Sequence, residues 1–304
     1  MKPPPLAYFR PASTAEMYER LLDDANETKV LAGGQSLIPL LNLRLAQPEV
    51  LLDIAALPGL DEVAVGARRQ LRIGAKVTQR MIGASPVVRA GWPVLGEASS
   101  FVGHPQIRSR GTVVGSTVHA DPSAEVPAVL RLLDATILLG SAQGERSVAA
   151  KDFFQDHYTT SIEATELALE ISIPPVTPGT GSCFTEFSFR RGDFALVGVA
   201  ATVRAETNRL ADVRVCVAGC SGVPLRFEQL EAQANGHDAD DSTLCELADA
   251  VADQMRPIDD PRIPASYRLR LARHFIRVAL RTALARARDP AVGEAGGPGR
   301  RAPR

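Results

Sequence analysis

The chain has few aromatic residues and almost no net charge. Aromatic side chains make up 5% of its 304 residues, and the formal net charge is −1. Binding of single-stranded nucleic acid depends on aromatic stacking platforms, and binding of any nucleic acid or anionic membrane depends on basic surfaces. The composition therefore predicts neither a nucleic-acid-binding protein nor a membrane-surface protein.

Long apolar runs and clustered metal ligands are also lacking. No segment has the ~18 consecutive apolar residues of a membrane span, and the N-terminus, MKPPPLAYFR, lacks the apolar core of a signal peptide. We therefore expect a cytoplasmic protein. Of the four cysteines, only Cys216 and Cys220 lie near each other in the sequence, and they form a loose pair. Zinc and iron–sulfur sites need tight local pairs of ligands. This spacing favours buried thiols and predicts no metal site in this chain.

The chain does contain two adjacent glycines between apolar segments, in KVLAGGQSLIPLLNL. The segment before Gly33-Gly34 is strand-like, and the segment from Leu37 is helix-like. Adjacent glycines allow a sharp turn, and successive N–H groups at a turn that opens a helix can bind an anion. By itself the pair indicates either an ordinary tight turn or a phosphate site, with Gln35 and Ser36 as additional hydrogen-bond donors. It matches neither the Rossmann fingerprint nor the P-loop.

A second segment, GTVVGSTVHADPSAE at 111–125, combines two glycines with many polar side chains. We interpret it as a loop between apolar segments, in which Ser123 caps the helix that follows. Polar groups are costly to bury unless a partner satisfies them, so a structural turn and a ligand site are both compatible with this pattern. His119, near Asp121 and Glu125, is either an acid/base group or a histidine that only hydrogen-bonds.

The hydrophobic pattern divides the chain into four parts. Strands and helices alternate over residues 1–57, which predicts an α/β subdomain with parallel pairing. Residues 58–176 predict an α+β subdomain with antiparallel pairing. Residues 177–288 follow a Pro/Gly-rich linker and predict three strands and then three helices, the last of which carries arginines suited to solvent or to an acidic partner. Residues 289–304 are rich in Gly, Pro and Arg, which predicts a disordered tail.

Four segments jointly resemble a known family: AGGQSLIPLLNLRL at 32–45, GHPQIRSRGTVVGS at 103–116, HADPSAEVPAVL at 119–130 and RRGDFALVGVAA at 190–201. In order and spacing they are similar to the FAD-binding medium subunit of molybdenum hydroxylases, as in carbon monoxide dehydrogenase, and to the flavin domain of xanthine dehydrogenase. The resemblance implies an α+β protein with a vanillyl-alcohol-oxidase/PCMH-type FAD-binding fold. A C-terminal domain with a three-stranded antiparallel sheet and a three-helix bundle would follow.

The resemblance also implies where FAD binds. Residues 32–36 would wrap the pyrophosphate, and residues 112–116 would complete the clamp. Glu125 would lie near the ribityl chain or the flavin edge. The full set of implied cofactor-binding residues is Leu31, Ala32, Gly33, Gly34, Gln35, Ser36, Leu37, Val102, Gly103, Ile107, Thr112, Gly115, Ser116, His119, Asp121, Glu125, Leu167, Ala168 and Phe194. No catalytic residue is implied in this chain.

The implied function is electron transfer within a larger enzyme. A large partner subunit with a molybdenum cofactor would hydroxylate the substrate, and a small partner subunit with two [2Fe–2S] clusters would carry electrons to FAD in this chain. The electrons would leave to an external acceptor such as NAD⁺, oxygen or a quinone, in a dimer of heterotrimers. Two alternatives stay open: a self-sufficient FAD-dependent oxidase or dehydrogenase with His119 as acid/base, and a non-enzymatic FAD-fold assembly protein.

Three residues depart from the family's pattern. Val114 replaces the first glycine of a usual double glycine, and a β-branched residue adopts positive φ only at a cost. The clamp is therefore either shifted or ordinary in conformation at this position. Glu186 stands near a frequent lysine and reverses its charge, and Phe194 replaces a frequent tyrosine beside the flavin. We expect the last two changes to alter the flavin potential or the choice of acceptor.

Overall fold

The computed structural model describes residues 2–23, 27–257, 259–260 and 263–289. Apart from Asp289, the tail predicted from the sequence lies outside these residues. Within the described part of the chain, no helix has both the length and the apolar character needed to cross a bilayer.

The first part of the fold is a three-stranded parallel sheet with strand order β1-β3-β2, as the alternating pattern predicts. Its elements are β1 (Ala7–Phe9), α1 (Thr14–Asp23), β2 (Thr28–Leu31), α2 (Leu37–Asn42) and β3 (Val50–Asp53). The backbone N–H of Glu16 donates to Ser13 Oγ at 3.2 Å, and the Glu16 carboxylate accepts from the Ala12 N–H. These bonds satisfy donors that the first turn of α1 would otherwise leave unpaired.

The second part is a five-stranded antiparallel sheet with strand order β4-β5-β10-β6-β7, flanked by short helices. Its elements are β4 (Val63–Val65), β5 (Leu71–Gly74), α3 (Gln79–Ala84), α4 (Pro86–Gly91), α5 (Pro93–Phe101), α6 (Pro105–Arg108), α7 (Val113–His119), α8 (Glu125–Leu132), β6 (Thr136–Ser141), β7 (Gly144–Ala149), α9 (Ala150–Phe153), β8 (Phe154–Asp156), β9 (Thr159–Thr160) and β10 (Leu167–Ile173). Strands β8 and β9 form a separate small hairpin.

The interpretation of residues 111–125 as a loop is wrong, because α7 occupies its centre. Thr112 caps this helix, and its Oγ1 accepts from the Gly115 N–H at 3.0 Å. The segment contains two glycines and several polar residues, so its hydrophobic periodicity did not indicate a helix. The expected role of Ser123 is also wrong: α8 begins without a side-chain cap, and the Ser123 N–H instead donates to Asp121 Oδ1 at 2.9 Å.

The third part is an antiparallel sheet with strand order β11-β12-β13-β14, covered by three helices. Its elements are β11 (Thr180–Phe187), β12 (Val197–Glu206), β13 (Arg209–Ala218), β14 (Leu225–Arg226), α10 (Glu228–Ala234), α11 (Asp241–Gln254) and α12 (Ala265–Arg288). The two-residue strand β14 extends the three strands that the sequence predicts.

Three arginines of α12 face α11. Arg273, Arg277 and Arg281 make ion pairs with aspartates of that helix. These three side chains therefore form ion pairs within the chain. Fewer arginines of α12 are left for solvent or for an acidic partner than the sequence suggested.

The β11–β14 sheet has two buried faces that belong to different cores. Phe184 and Cys216 pack into the core shared with the first two parts, whereas Cys183 and Cys220 pack with α11 and α12. Burial raises the pKa of the Cys183, Cys216 and Cys220 thiols to about 12. Cys216 lies on β13, whereas Cys220 follows the end of that strand at Ala218, so the loose pair is divided between the two cores.

Glu97 of α5 links the C-terminal sheet to the rest of the fold. Its carboxylate accepts from both terminal nitrogens of Arg286 on α12, at 2.9 and 3.1 Å, and from the Phe184 N–H on β11 at 2.9 Å. Arg286 also donates to Ser182 O at 2.6 Å. One partly buried carboxylate thus connects a helix of the second part to a strand and a helix of the third.

Glu97→Gln tests this link. The amide cannot accept both Arg286 bonds and leaves a partly buried guanidinium without its counter-charge, so we expect the free energy of unfolding to fall by about 2–3 kcal/mol. Urea unfolding followed by circular dichroism measures the change. Glu19→Gln makes the same chemical change at an exposed residue and serves as the control. Equal stability of the two variants would contradict the role of Glu97.

Candidate functional site

The glycine turn after β2 lies directly on the segment that precedes α7. A Cβ on Gly33 would overlap the carbonyl oxygen of Arg110 and lie 2.8 Å from the Cα of Gly111. Gly34 has φ +70°, a conformation that favours glycine, and the side chains of Leu31 and Ile38 flank it. Gly33 is therefore required by backbone packing inside the chain, which is a different reason from the room for a phosphate that the sequence suggested.

The same turn offers unpaired backbone donors. Among the described residues, no acceptor is found for the backbone N–H groups of Gly33, Gly34, Gln35 or Ser36, while the Gln35 side chain folds back and donates to Gly33 O at 2.9 Å. Because the turn is only partly buried, these N–H groups are open to an anion.

The N-terminus of α7 lies beside this turn. A Cβ on Gly115 would lie 3.8 Å from the Cβ of Ala32 and 2.6 Å from Thr112 Oγ1, so a glycine suits this first helical turn. Val114 is buried within the helix and does not have positive φ. The sequence allowed either a shifted clamp or an ordinary backbone conformation at Val114, and the structure has the ordinary conformation. Ser116 follows on the same helix, partly exposed.

The segment around α6 continues the site. Gly103 has φ +44° and lies against Ile107, and Arg108 Nη1 donates to the carbonyl oxygens of Val102 and Gly103, both at 2.9 Å. A Cβ on Gly192 would lie 2.6 Å from the His104 ring, so the loop between β11 and β12 passes over this segment. The fold thus brings together residues from three separate stretches of the sequence.

Three further predicted residues differ in burial. Leu167 and Ala168 lie at the start of the central strand β10, with side chains buried in the hydrophobic core. Only their backbone could border an open pocket. Phe194, in contrast, lies on the β11–β12 loop with 70% of its surface exposed.

His119, at the end of α7, contacts a tyrosine that the sequence analysis missed. Its ring lies 5.2 Å from that of Tyr158, whose hydroxyl donates to Asp121 Oδ2 at 3.2 Å. The Tyr158 N–H donates to Ala120 O at 3.2 Å, and both residues have positive φ. Burial lowers the pKa of His119, which keeps its ring neutral at pH 7. Tyr158 lies in the turn between β8 and β9, and such short strands carry no periodic signal, so nothing in the sequence pointed to it.

Two glutamates of the chain, Glu125 and Glu186, have carboxyl groups that are largely withdrawn from water. Glu125 is buried in the first turn of α8, and burial raises its pKa to about 7. Glu186 lies on β11, where burial first and the charge of Glu125 second raise its pKa to about 8. Glu186 Oε2 is buried and has no hydrogen-bond partner.

These features fit an extended cofactor that contains phosphate. A glycine turn whose N–H groups have no acceptor among the described residues lies against the segment that precedes α7, and successive free N–H groups at a turn can bind an anion. Among the described residues, no group of His, Cys, Asp and Glu side chains could hold a metal ion. The fold and site therefore define the class of a cofactor-binding α+β protein.

Comparison with known proteins identifies the family. Residues 4–176 match the FAD binding domain in molybdopterin dehydrogenase, and residues 182–283 match the CO dehydrogenase flavoprotein C-terminal domain. The chain is 35% identical to the 6-hydroxypseudooxynicotine dehydrogenase complex subunit alpha of Paenarthrobacter nicotinovorans, over 95% of this chain and 97% of that protein. It is 32% identical to the carbon monoxide dehydrogenase medium chain of Hydrogenophaga pseudoflava, over 94% and 99%.

Solved structures agree. The carbon monoxide dehydrogenase of Hydrogenophaga pseudoflava that lacks the Mo-pyranopterin moiety superposes with a TM-score of 0.91 at 33% identity, covering 94% of this chain and 99% of that chain. Quinoline 2-oxidoreductase from Pseudomonas putida 86 gives 0.90 at 33% identity, with the same coverage. The chain belongs to the family of FAD-binding subunits of molybdenum hydroxylase-type dehydrogenases. The resemblance and the fold class stated from the sequence are thereby confirmed, and the chain is an oxidoreductase subunit that binds FAD.

Gly33→Ala tests the contact between the two glycine segments. The new methyl group would overlap Arg110 O, so the turn and α7 must separate, and we expect a loss of about 1–3 kcal/mol in unfolding free energy with weaker FAD binding. Thermal unfolding and FAD titration measure the two effects. Gly83→Ala is the matched control, because nothing lies within 4 Å of its Cβ position inside α3. A Gly33→Ala variant as stable as wild type would refute the backbone contact.

Proposed function

We propose that this chain is the FAD-containing electron-transfer subunit of a heterotrimeric molybdenum hydroxylase. It would work with a large molybdenum-cofactor subunit and a small subunit that holds [2Fe–2S] clusters, in a dimer of heterotrimers. The observation that supports the proposal is the glycine turn at residues 33–36, whose backbone N–H groups have no acceptor among the described residues and which packs against the segment before α7. In the bound state, FAD supplies the exchange of electrons between one-electron clusters and an external acceptor.

The residues proposed to hold FAD divide by role. The backbone N–H groups of residues 33–36 would bind the pyrophosphate from one side, and the first turn of α7, with Thr112, Gly115 and Ser116, from the other. Leu31 and Leu37 border the turn. Val102, Gly103 and Ile107 would line the isoalloxazine pocket with the backbone of Leu167 and Ala168. The positions of His119, Asp121 and Glu125 along one continuous segment support a place beside the ribityl chain and ring.

Exposed apolar side chains on the surface support a role as a subunit that contacts other proteins. Leu43 and Leu45, just after α2, expose 55% and 72% of their surface, and Phe189 and Phe194 on the β11–β12 loop are similarly open. Exposed apolar side chains close to a cofactor site are typical of protein–protein contact surfaces. Both groups lie next to segments that we assign to FAD, which is where an electron donor or acceptor has to approach. Placement in the cytoplasm, and domain boundaries at 57/58 and 176/177, stay predictions.

The two alternatives are less well supported. A self-sufficient oxidase needs an acid/base group over the flavin, and the candidate, His119, has a lowered pKa and a ring packed on Tyr158. A non-enzymatic protein of this fold was suggested by Val114 and Glu186. Val114 no longer supports it, because that residue is an ordinary member of α7. Glu186 alters the charge of the pocket but leaves the glycine turn intact.

Purification of the full chain tests the proposal. We expect a yellow protein, or a colourless one that takes up one equivalent of added FAD, and we expect it to co-purify with a molybdenum-containing and an iron–sulfur subunit when the three are expressed together. Visible absorbance, metal analysis and size-exclusion chromatography are the measurements. A chain that takes up no FAD would overturn the assignment, and turnover of an organic substrate by the isolated chain would favour the self-sufficient enzyme.

A further inference from the structure

A buried arginine of α12 joins two loops that are distant from each other in the sequence. Arg268, in the first turn of that helix, exposes 8% of its surface. Its Nη1 donates to Leu196 O at 2.7 Å and to Gly219 O at 2.6 Å, and Asp260 Oδ2 lies 3.8 Å from its Nη2. Leu196 ends the β11–β12 loop, and Gly219 begins the loop after β13, residues 219–224. One guanidinium therefore binds the backbone of both loops.

The two loops also pack directly against each other. Gly219 has φ +80°, and a Cβ at this position would lie 2.6 Å from Leu196 O. Both the backbone conformation and the close approach therefore require glycine here. Since Leu196 O also accepts from Arg268, the relative position of the two loops is fixed at this carbonyl group.

The loop after β13 contacts residues 119–122, which include two of the predicted FAD-binding residues. The Gly219 N–H donates to Pro122 O at 2.8 Å. Leu196, the other partner of the guanidinium, lies two residues after Phe194, which is also predicted to bind FAD. The Arg268 guanidinium is thus connected, through one residue in each case, to two separate parts of the predicted FAD site.

A second contact to residues 119–122 runs through the β8–β9 hairpin. A Cβ on Gly222, in the loop after β13, would lie 2.5 Å from Asp156 Oδ1 of that hairpin. Tyr158, two residues further along, contacts each of residues 119–121 through its ring, its N–H or its hydroxyl. The loop after β13 therefore contacts the 119–122 segment both directly and through the hairpin.

We propose that Arg268 is a positioning residue of the FAD site, which holds residues 119–122 and the β11–β12 loop in place through the backbone of Gly219 and Leu196. The inference rests on the proposed function, because that function places FAD beside both segments. Arg268 acts through backbone carbonyl groups and does not contact the cofactor. Hydrogen bonds from a charged donor are about twice as strong as those between neutral groups, so one guanidinium can order two loops.

The first test uses the ligand-free chain and removes the guanidinium. Arg268→Met keeps a long unbranched side chain but donates no hydrogen bond. We expect backbone amides in residues 119–122, 190–196 and 219–222 to exchange with deuterium at least about tenfold faster, because both loops lose a charged partner. Hydrogen exchange followed by mass spectrometry measures the rates.

Arg286→Met is the matched control. Arg286 lies near the opposite end of α12, is also partly buried and donates to a backbone carbonyl, Ser182 O, at 2.6 Å. Both variants should lower the Tm of the ligand-free chain by about 3–6 °C, but Arg286→Met should leave exchange in the three segments at the wild-type rate. Wild-type exchange in Arg268→Met, or equal acceleration in the two variants, would overturn the positioning role.

The second test measures FAD affinity and the surroundings of the bound flavin. For Arg268→Met we expect the FAD dissociation constant to rise about tenfold and the visible circular dichroism of the flavin to change, since two parts of the site are released. Arg268→Lys keeps a charged donor and should recover part of the affinity. Arg286→Met should match wild type in both measurements in spite of its lower stability.

The outcomes separate this inference from the proposed function. A wild-type chain that binds no FAD would overturn the proposed function, and with it the link between Arg268 and the cofactor. FAD binding with the same affinity and the same dichroism in wild type and Arg268→Met would leave the proposed function standing and overturn the inference. If Arg268→Met does not fold, Arg268→Lys and Arg286→Lys decide the matter in the same measurements, with the same expected order.

Discussion

The cofactor site depends on one close contact, in which the backbone at Gly33 rests on the backbone of Arg110 and Gly111. Only a residue without a Cβ allows this approach. The Arg110–Thr112 segment is held from its other side as well, since Gln79 N–H donates to Gly111 O at 2.9 Å and Val113 N–H donates to Val77 O at 3.0 Å. Two turns that are distant in sequence therefore pack directly against each other.

The C-terminal sheet takes its position from a second, electrostatic constraint. Glu97 binds the guanidinium of Arg286 and the backbone of Phe184, which fixes α12 and β11 against α5. Glu186 lies two residues beyond Phe184 on that strand. The same link therefore holds the strand that carries Glu186 against α5.

The departures from the family's pattern have different physical meanings once the fold is known. Val114 costs nothing, because a helical residue with a buried β-branched side chain needs no positive φ. Glu186 matters more, because it adds a second carboxyl to a pocket that already holds Glu125. Phe194 is mostly exposed, so its ring is available to a partner or to the cofactor and needs no hydrogen-bond partner of its own.

The amino-acid sequence by itself determined the family, the parallel and antiparallel parts and most helices, because glycine pairs, apolar periodicity and the order of four segments are local signals. It did not reveal α7, whose cap at Thr112 stands among glycines and polar residues, or the contact of Tyr158 with His119. Only the tertiary structure decided that Gly33 is required by Arg110 and that Glu125 and Glu186 are withdrawn from water. Close approach and burial are properties of packing between distant segments, and no local pattern in the sequence encodes them.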